Sequence, residues 1–482
     1  MNRAPLRALL AAALVAGCAV GPNYRSPEPA APAQGAFASA NLSVFAPDAP
    51  PGDWWRLYRD PTLDRLVGEA LAANTDLRVA AANLRAARAS VAEARASLLP
   101  STTIGASATR ARTPQQGPTI PAATGNVYDV GLNVAYEVDL FGRLRRTIEA
   151  ARADEGAVKA AYDLARITVA AETARAYADA CAANQELAAA NRSLQVEQSS
   201  YDLTQRRLQA GRDTALDTTR VGSLLEQTRA EIPTLTAARQ SALFRLAVLT
   251  GKPPAQYPPE AAACAVPPTL SSPIPVGDGA ALLRRRPDVR EAERRLAAAT
   301  ARIGVATADL YPTVSLGGGL GSSAGSVSGL GRQPAFRWSL GPLLSWTFPN
   351  ILAARARIQQ ASAQADAALA GFDGAWLAAL RDTETALTQY AQDLDRATDL
   401  TRARDQAALA QAAAQRRFTA GYVSSLDVLD SDRTLADAEL TLAQAQAQVS
   451  ADQITLFLSL GGGWEDAPAS LVSQGERRGP GF

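Results

Sequence analysis

Apolar and polar side chains alternate between residues 126 and 139. Tyr128, Val130, Leu132, Val134, Tyr136 and Val138 take the even positions, and Asp129, Asn133, Glu137 and Asp139 stand among the odd ones. The stretch 336–348 repeats the pattern, with Phe336, Trp338, Leu340, Leu344, Trp346 and Phe348 on one parity, Arg337, Ser339, Ser345 and Thr347 on the other, and Pro342 as the only break. A period of two over ten or more residues predicts a strand with one apolar and one polar face. Weaker partner strands are expected at about 101–112 and 313–321, where Val314, Leu316 and Leu320 alternate with Thr313, Ser315 and glycines. Aromatic residues at strand ends suit the interfacial girdles of a membrane barrel. A soluble β-sandwich hairpin shares the alternation and stays open as a reading.

After each two-stranded region the period changes. Leu187, Leu194, Tyr201 and Leu208 recur every seven residues, as do Val428, Leu435, Leu442, Val449 and Leu456. No proline interrupts 122–232 or 350–467. These features predict supercoiled helices: an outgoing helix over 143–209, roughly 100 Å long at 1.5 Å per residue, a return helix over 214–250, and a second pair over 350–419 and 425–460. Gly211 and Gly421 fall at the turns, where a left-handed glycine ends a helix.

The chain is written twice. Asp76 matches Asp288 and Pro100 matches Pro312 at an offset of 212, and Gly211 matches Gly421 and Gly251 matches Gly461 at an offset of 210. An internal duplication accounts for all four. Repeat 1 spans 61–251, with a helical stretch running from Asp60-Pro61 to Pro100. Repeat 2 spans 279–463. An equatorial linker, 252–278, joins them, a Pro/Ala-rich extended leader (18–60) precedes them and a tail (464–482) follows. The fold class is a mixed α+β membrane protein. Four strands per chain cannot close a barrel, and lipid does not tolerate an open edge; two chains would supply eight strands and three would supply twelve.

Composition narrows the chemistry. Lys+Arg number 48 against 47 Asp+Glu, with no histidine and one methionine. The balance gives no electrostatic case for a nucleic-acid partner. The commonest general base and metal ligand is missing, so neither an enzyme nor a metal site is expected. "GSSAG" at 321–325 fits the G-x-S-x-G elbow around Ser323, but that nucleophile needs a base, and a Gly/Ser-rich loop between strands is the plainer expectation. The triple glycines at 317–319 and 461–463 lack the Lys-Ser/Thr of a phosphate loop and read as a strand segment and a helix terminus.

Residues 1–17 carry Arg3 and Arg7 before a short apolar run, as a secretory signal does, and end in "LVAGC". The ending resembles a bacterial lipobox, which makes Cys18 an acylated first residue and leaves the covalent lipid as the only non-protein group expected; an ordinary signal peptide is the alternative. Ala19 after the cysteine favours the outer over the inner membrane by the same resemblance. Cys181 lies about 45 Å up the outgoing helix from the turn at 211, and the return helix ends about 60 Å up, near the linker that holds Cys264. Sequence alone does not place the two within bonding distance, so a disulfide and two free thiols both stay open; a Cα separation well above about 7 Å would rule the bond out.

The turns carry the remaining candidates. "AGYVSSLDVLDSDR" (420–433) holds Gly421, Leu426, Asp427 and Asp430, and "AGRDTALDTTR" (210–220) holds Gly211, Leu216 and Asp217. Acidic residues in a first helical turn favour the helix dipole. Gathered around an axis by several chains, Asp427 and Asp430 would also ring an opening, attracting cations and repelling anions.

"CAVGPNY", "WWRLYRDPTLDRLV", "ALAANTDL", "RRRPDVREAERRLAAATARIGVATADLYP" and "LDVLD" together resemble the outer membrane factor family, in particular its NodT-type efflux lipoproteins. The resemblance implies a homotrimer with a 12-stranded β-barrel continuous with a periplasmic helical barrel, anchored in outer-membrane lipid. It implies an exit duct for drugs or other small toxic compounds, served by a periplasmic adaptor and an inner-membrane transporter of the resistance-nodulation-division type. It also implies that "LDVLD" forms a periplasmic gate. Phe418 and Val423 depart from the tip tyrosine and arginine of some members. A structural or adhesive coiled-coil lipoprotein without channel activity is the rival reading.

Overall fold

The computed structural model describes residues 19–28, 30–40, 43–113, 123–270, 272–348 and 351–462. The signal segment, Cys18 and the tail 464–482 lie outside the described residues. The described residues divide into two compact units, one drawn from 19–28, 84–159 and 291–373, the other from 30–83, 160–290 and 374–462.

In chain order the elements are β1 (Phe45–Ala46), α1 (Pro61–Ala73), α2 (Thr75–Ala96), β2 (Ser101–Thr113), β3 (Ala123–Val138), α3 (Arg143–Gln209), α4 (Ala215–Leu249), α5 (Pro259–Ala262), β4 (Ile274–Pro275), α6 (Gly279–Arg285), α7 (Pro287–Ala308), β5 (Thr313–Ala324), β6 (Phe336–Ser345), α8 (Ile351–Thr419) and α9 (Ser425–Ser459). No helix among the described residues is long and apolar enough to cross a membrane.

The first unit is built on one antiparallel sheet of order β2-β3-β5-β6. Its register carries the even-numbered positions across all four strands: Ile104 faces Leu132, Leu132 faces Leu320, and Leu320 faces Trp338. The alternation thus becomes a continuous apolar face, and it is open. Ile104 is 78% exposed and Trp338 71%. Three sequence expectations are corrected here. The last strand stops at Ser345 rather than 348, β3 begins at Ala123 rather than 126, and residues 321–324 belong to β5 rather than to a loop. Ladder pairing with β3 extends to Ala324, because small residues do not oppose it. Below the sheet, the residues after Cys18 are held on α3. Buried Arg146 donates to the Val20 carbonyl at 3.2 Å, the Gly21 carbonyl at 3.2 Å and Asn23 Oδ1 at 2.8 Å.

The second unit holds the helical hairpins and the main core. Four helices end alike. The N–H groups of Gly211, Gly251, Gly421 and Gly461 reach the carbonyls three residues back, and those of the next residues reach five back. This pattern needs a positive φ, 68–79° at all four glycines, so the duplication extends to the cap geometry.

The leader is not simply extended. It makes short helical turns at 31–34, 38–40 and 54–58, and β1 pairs in parallel with β4 of the linker. The Glu384 carboxylate accepts from Ala38 N at 2.7 Å and Ser39 N at 3.0 Å. Trp54 is fully buried, stacked on Phe457 at 4.8 Å between centroids. Burying two tryptophans outweighs the absence of a regular period in this segment.

The single helical stretch expected from 61 to 100 is two helices. Asn74 ends α1, and its Oδ1 caps α2 by accepting from Asp76 N at 2.9 Å and Leu77 N at 3.2 Å. Pro233 sits inside α4, where its missing N–H forfeits one hydrogen bond of a 35-residue helix. Cys181 and Cys264 are joined by a disulfide, with Cα atoms 4.9 Å apart.

Candidate gate at the hairpin tips

Both hairpins turn by the same device. After each left-handed glycine the chain makes a short exposed loop, and a hydroxyl residue then caps the return helix. Thr214 caps α4 and Ser424 caps α9, each in a reciprocal capping box with the aspartate three residues on. Asp427 Oδ2 accepts from Ser424 N at 2.8 Å and Ser424 Oγ at 2.6 Å, while Asp427 N donates back to Ser424 Oγ at 3.3 Å. Asp217 and Thr214 repeat this at 3.1, 2.6 and 3.3 Å. The Ser424 hydroxyl, then its N–H, hold the Asp427 carboxyl below the usual carboxylate range, and Thr214 does the same for Asp217. Both anions are therefore fixed in position and charge at neutral pH.

The doubled Leu-Asp phrase thus has a local cause: the aspartate closes a cap. That cause does not consume its charge. Asp427 and Asp430 remain exposed beside Tyr422 and Leu426, as does Leu216 at the first tip. Among the described residues the Asp430 carboxylate takes no part in the cap, and its backbone carbonyl accepts from the Thr434 hydroxyl at 2.8 Å. The two tips touch through Arg207, whose guanidinium lies 5.5 Å from the Phe418 ring centre while its Nε bonds Asp213 at 2.9 Å. Phe418 therefore has a partner of its own, although a tyrosine hydroxyl is lacking.

Behind the tips lies a cavity of about 550 Å³ lined by Ser200, Val221, Gln411, Phe418, Val428 and Asp432. Asp432 is the site residue that sequence reasoning missed. It is buried, and its carboxylate accepts from Gln411 Nε2 at 2.9 Å and weakly from Ser200 Oγ at 3.5 Å. Burial pushes its pKa up, and the same holds for Glu197, bonded to Thr228 Oγ1 at 3.0 Å. A signal was available. Asp432, Glu439, Gln446 and Gln453 recur every seven residues, four positions after the apolar heptad. They meet Ser200, Arg192 (3.9 Å), Gln185 (2.6 Å) and the Tyr390 hydroxyl (3.3 Å) respectively. A polar seam thus ties α9 to α3 and α8.

The family profile for outer membrane efflux protein matches residues 66–252 and 280–462. The chain belongs to the outer membrane efflux protein family. Among curated relatives it is similar to nodulation protein T of Rhizobium leguminosarum bv. trifolii, 30% identical over 460 residues that cover 94% of this chain and 96% of that protein. It is also similar to the outer membrane protein OprJ of Pseudomonas aeruginosa, 32% identical over 98% of each. Among solved structures it resembles the outer-membrane channel OprN at a TM-score of 0.87 and 37% identity, covering 93% of this chain and all of that one. The long helices and the sheet are those of the family's channels, and as an outer membrane efflux protein the chain serves efflux at the outer membrane.

Proposed function

We propose that this protein is the passive exit duct of a tripartite pump: a homotrimer whose twelve strands close a barrel and whose helices form a tunnel. The observation that carries this reading is the sheet. It has an exposed apolar face, and in the order β2-β3-β5-β6 both outer strands are paired on one side only. Lipid suits the face and forbids the edges, so further copies must supply partners, and three copies make a barrel of ordinary size. A periplasmic adaptor and an inner-membrane transporter of the resistance-nodulation-division type complete the pump and supply the energy. The duct performs no chemistry, and cargo selection lies with the transporter. Some relatives are named for solvent, toluene, antibiotic or pyoverdine export, and the cargo here is drugs or other small toxic compounds of that breadth. Cys18 carries the acyl anchor. Asp427 and Asp430 from three chains ring the periplasmic mouth.

The test is electrical. Purified full-length protein in planar bilayers conducts ions on this reading and crosslinks as a trimer. A correctly folded protein that passes no current would favour the structural or adhesive lipoprotein instead.

A further inference from the structure

One row of the sheet's polar face is nearly bare. Gly105 pairs with Gly131, Gly131 with Gly321, and Gly321 with Arg337. Three of the four positions are glycine and the fourth is arginine. Arg337 does not stand off the wall. Its Nη2 lies 2.7 Å from both oxygens of Asp129. Asp129 is on β3 and Arg337 on β6, with β5 between them, so the side chain crosses two strand spacings, about 10 Å of sheet. The route runs over the glycines. A Cβ on Gly321 would lie 3.2 Å from Arg337 Nε, and one on Gly131 would lie 3.9 Å from Nη2. Glycine weakens a strand, and a trough that seats one long side chain accounts for two of them lying beneath it.

We propose that Asp129 and Arg337 are the charge-setting pair of the bore, laid along the wall so that this level stays wide and electrically neutral. The assignment rests on the duct reading, under which the polar face lines the lumen. The pair is half-exposed, 60% for Arg337 and 30% for Asp129, so it adds little to stability. What it controls is local charge. Losing either partner leaves three like charges, one per chain, at one height. Such a ring favours its counter-ion, and its field reaches about 30 Å at 0.01 M salt.

The experiment records wild type, Asp129→Asn, Arg337→Gln and the double variant as full-length oligomers in planar bilayers under a potassium chloride gradient near 0.01 M. Asp129→Asn is expected to shift permeability toward chloride and Arg337→Gln toward potassium, each by about twofold or more, with the double variant returning to the wild-type ratio. Arg337→Met, of similar length, replaces Arg337→Gln should that variant not assemble, with the same shift expected. Shifts of the same sign, or no shift in channels that conduct normally, overturn the assignment and leave the duct reading intact. A wild type that passes no current overturns the duct reading and the assignment with it.

Discussion

Removing the disulfide tests how the linker is held. Cys181 is fully buried on α3, Cys264 lies in the linker, and 83 residues separate them. Closing a loop of that length withdraws about 15 cal/mol/K from the unfolded chain, worth about 4.6 kcal/mol at 25 °C. Unfolding entropy is roughly 2.1 cal/mol/K per residue, or about 1 kcal/mol/K for a chain of this length. Cys181→Ala with Cys264→Ala should therefore lower the melting temperature by about 5 °C. A trimer triples both quantities and leaves the ratio unchanged. The linker does not come loose entirely, because Asn184 Nδ2 still donates to the carbonyls of Ala262 (3.1 Å) and residue 264 (2.7 Å), and Arg239 Nη2 to that of Ala262 (2.9 Å). The assay is a thermal melt of the purified oligomer followed by circular dichroism. Wild type with a reductant should match the double variant, and the variant should not respond to reductant. A melting point within about 1 °C of wild type, with the wild-type bond verified by mass spectrometry, would refute the loop-closure argument.

Four further outcomes are expected. Asp427→Ala with Asp430→Ala should relieve block by a trivalent cation added on the periplasmic side and weaken cation selectivity; unchanged block in single-channel records leaves the acidic mouth without support. Ser424→Ala and Thr214→Ala remove equivalent caps and should each cost about 0.5–2 kcal/mol, seen as faster hydrogen exchange confined to the first turn of α9 or of α4. Burial, with Asp393 adding to it, pushes Asp452 up to about 6. A raised carboxyl adds stability at low pH and loses it as pH rises through that value, so melting should fall between pH 5 and 7 in wild type and stay flatter in Asp452→Asn. Mass spectrometry of the mature N-terminus should find lipid on Cys18, and an unmodified chain starting elsewhere would rule the anchor out.

What was legible in the sequence is what repeats. Alternation placed the strands to within a few residues, heptads placed α3 and α9 almost to their ends and a proline-free run placed α8, because short-range periodicity is set by the element itself; α4 was bounded by its glycines in spite of Pro233. The glycine turns were legible because only glycine suits their φ. The leader's fold was not, since the burial of Trp54 depends on Phe457, more than 400 residues away, and no local pattern announces it. Asn74 looks like any polar helical residue until it is seen capping α2. At the tips, Asp427 was found by its phrase and its capping role was foreseen only as a dipole effect. Asp432 was overlooked because a carboxylate next to two exposed ones reads as surface until the helices are packed.

The stack of Trp54 on Phe457 also sets a timetable. The first ring leaves the ribosome 403 residues before the second, and at about 5–20 residues per second that interval is roughly 20–80 s. Throughout it, Trp54 can meet Trp55 and Tyr58, which lie edge-on to it in the finished protein, but not the ring that stacks on it. The stack itself therefore forms only once the end of α9 has been made, and a chain cut shortly before residue 457 lacks it.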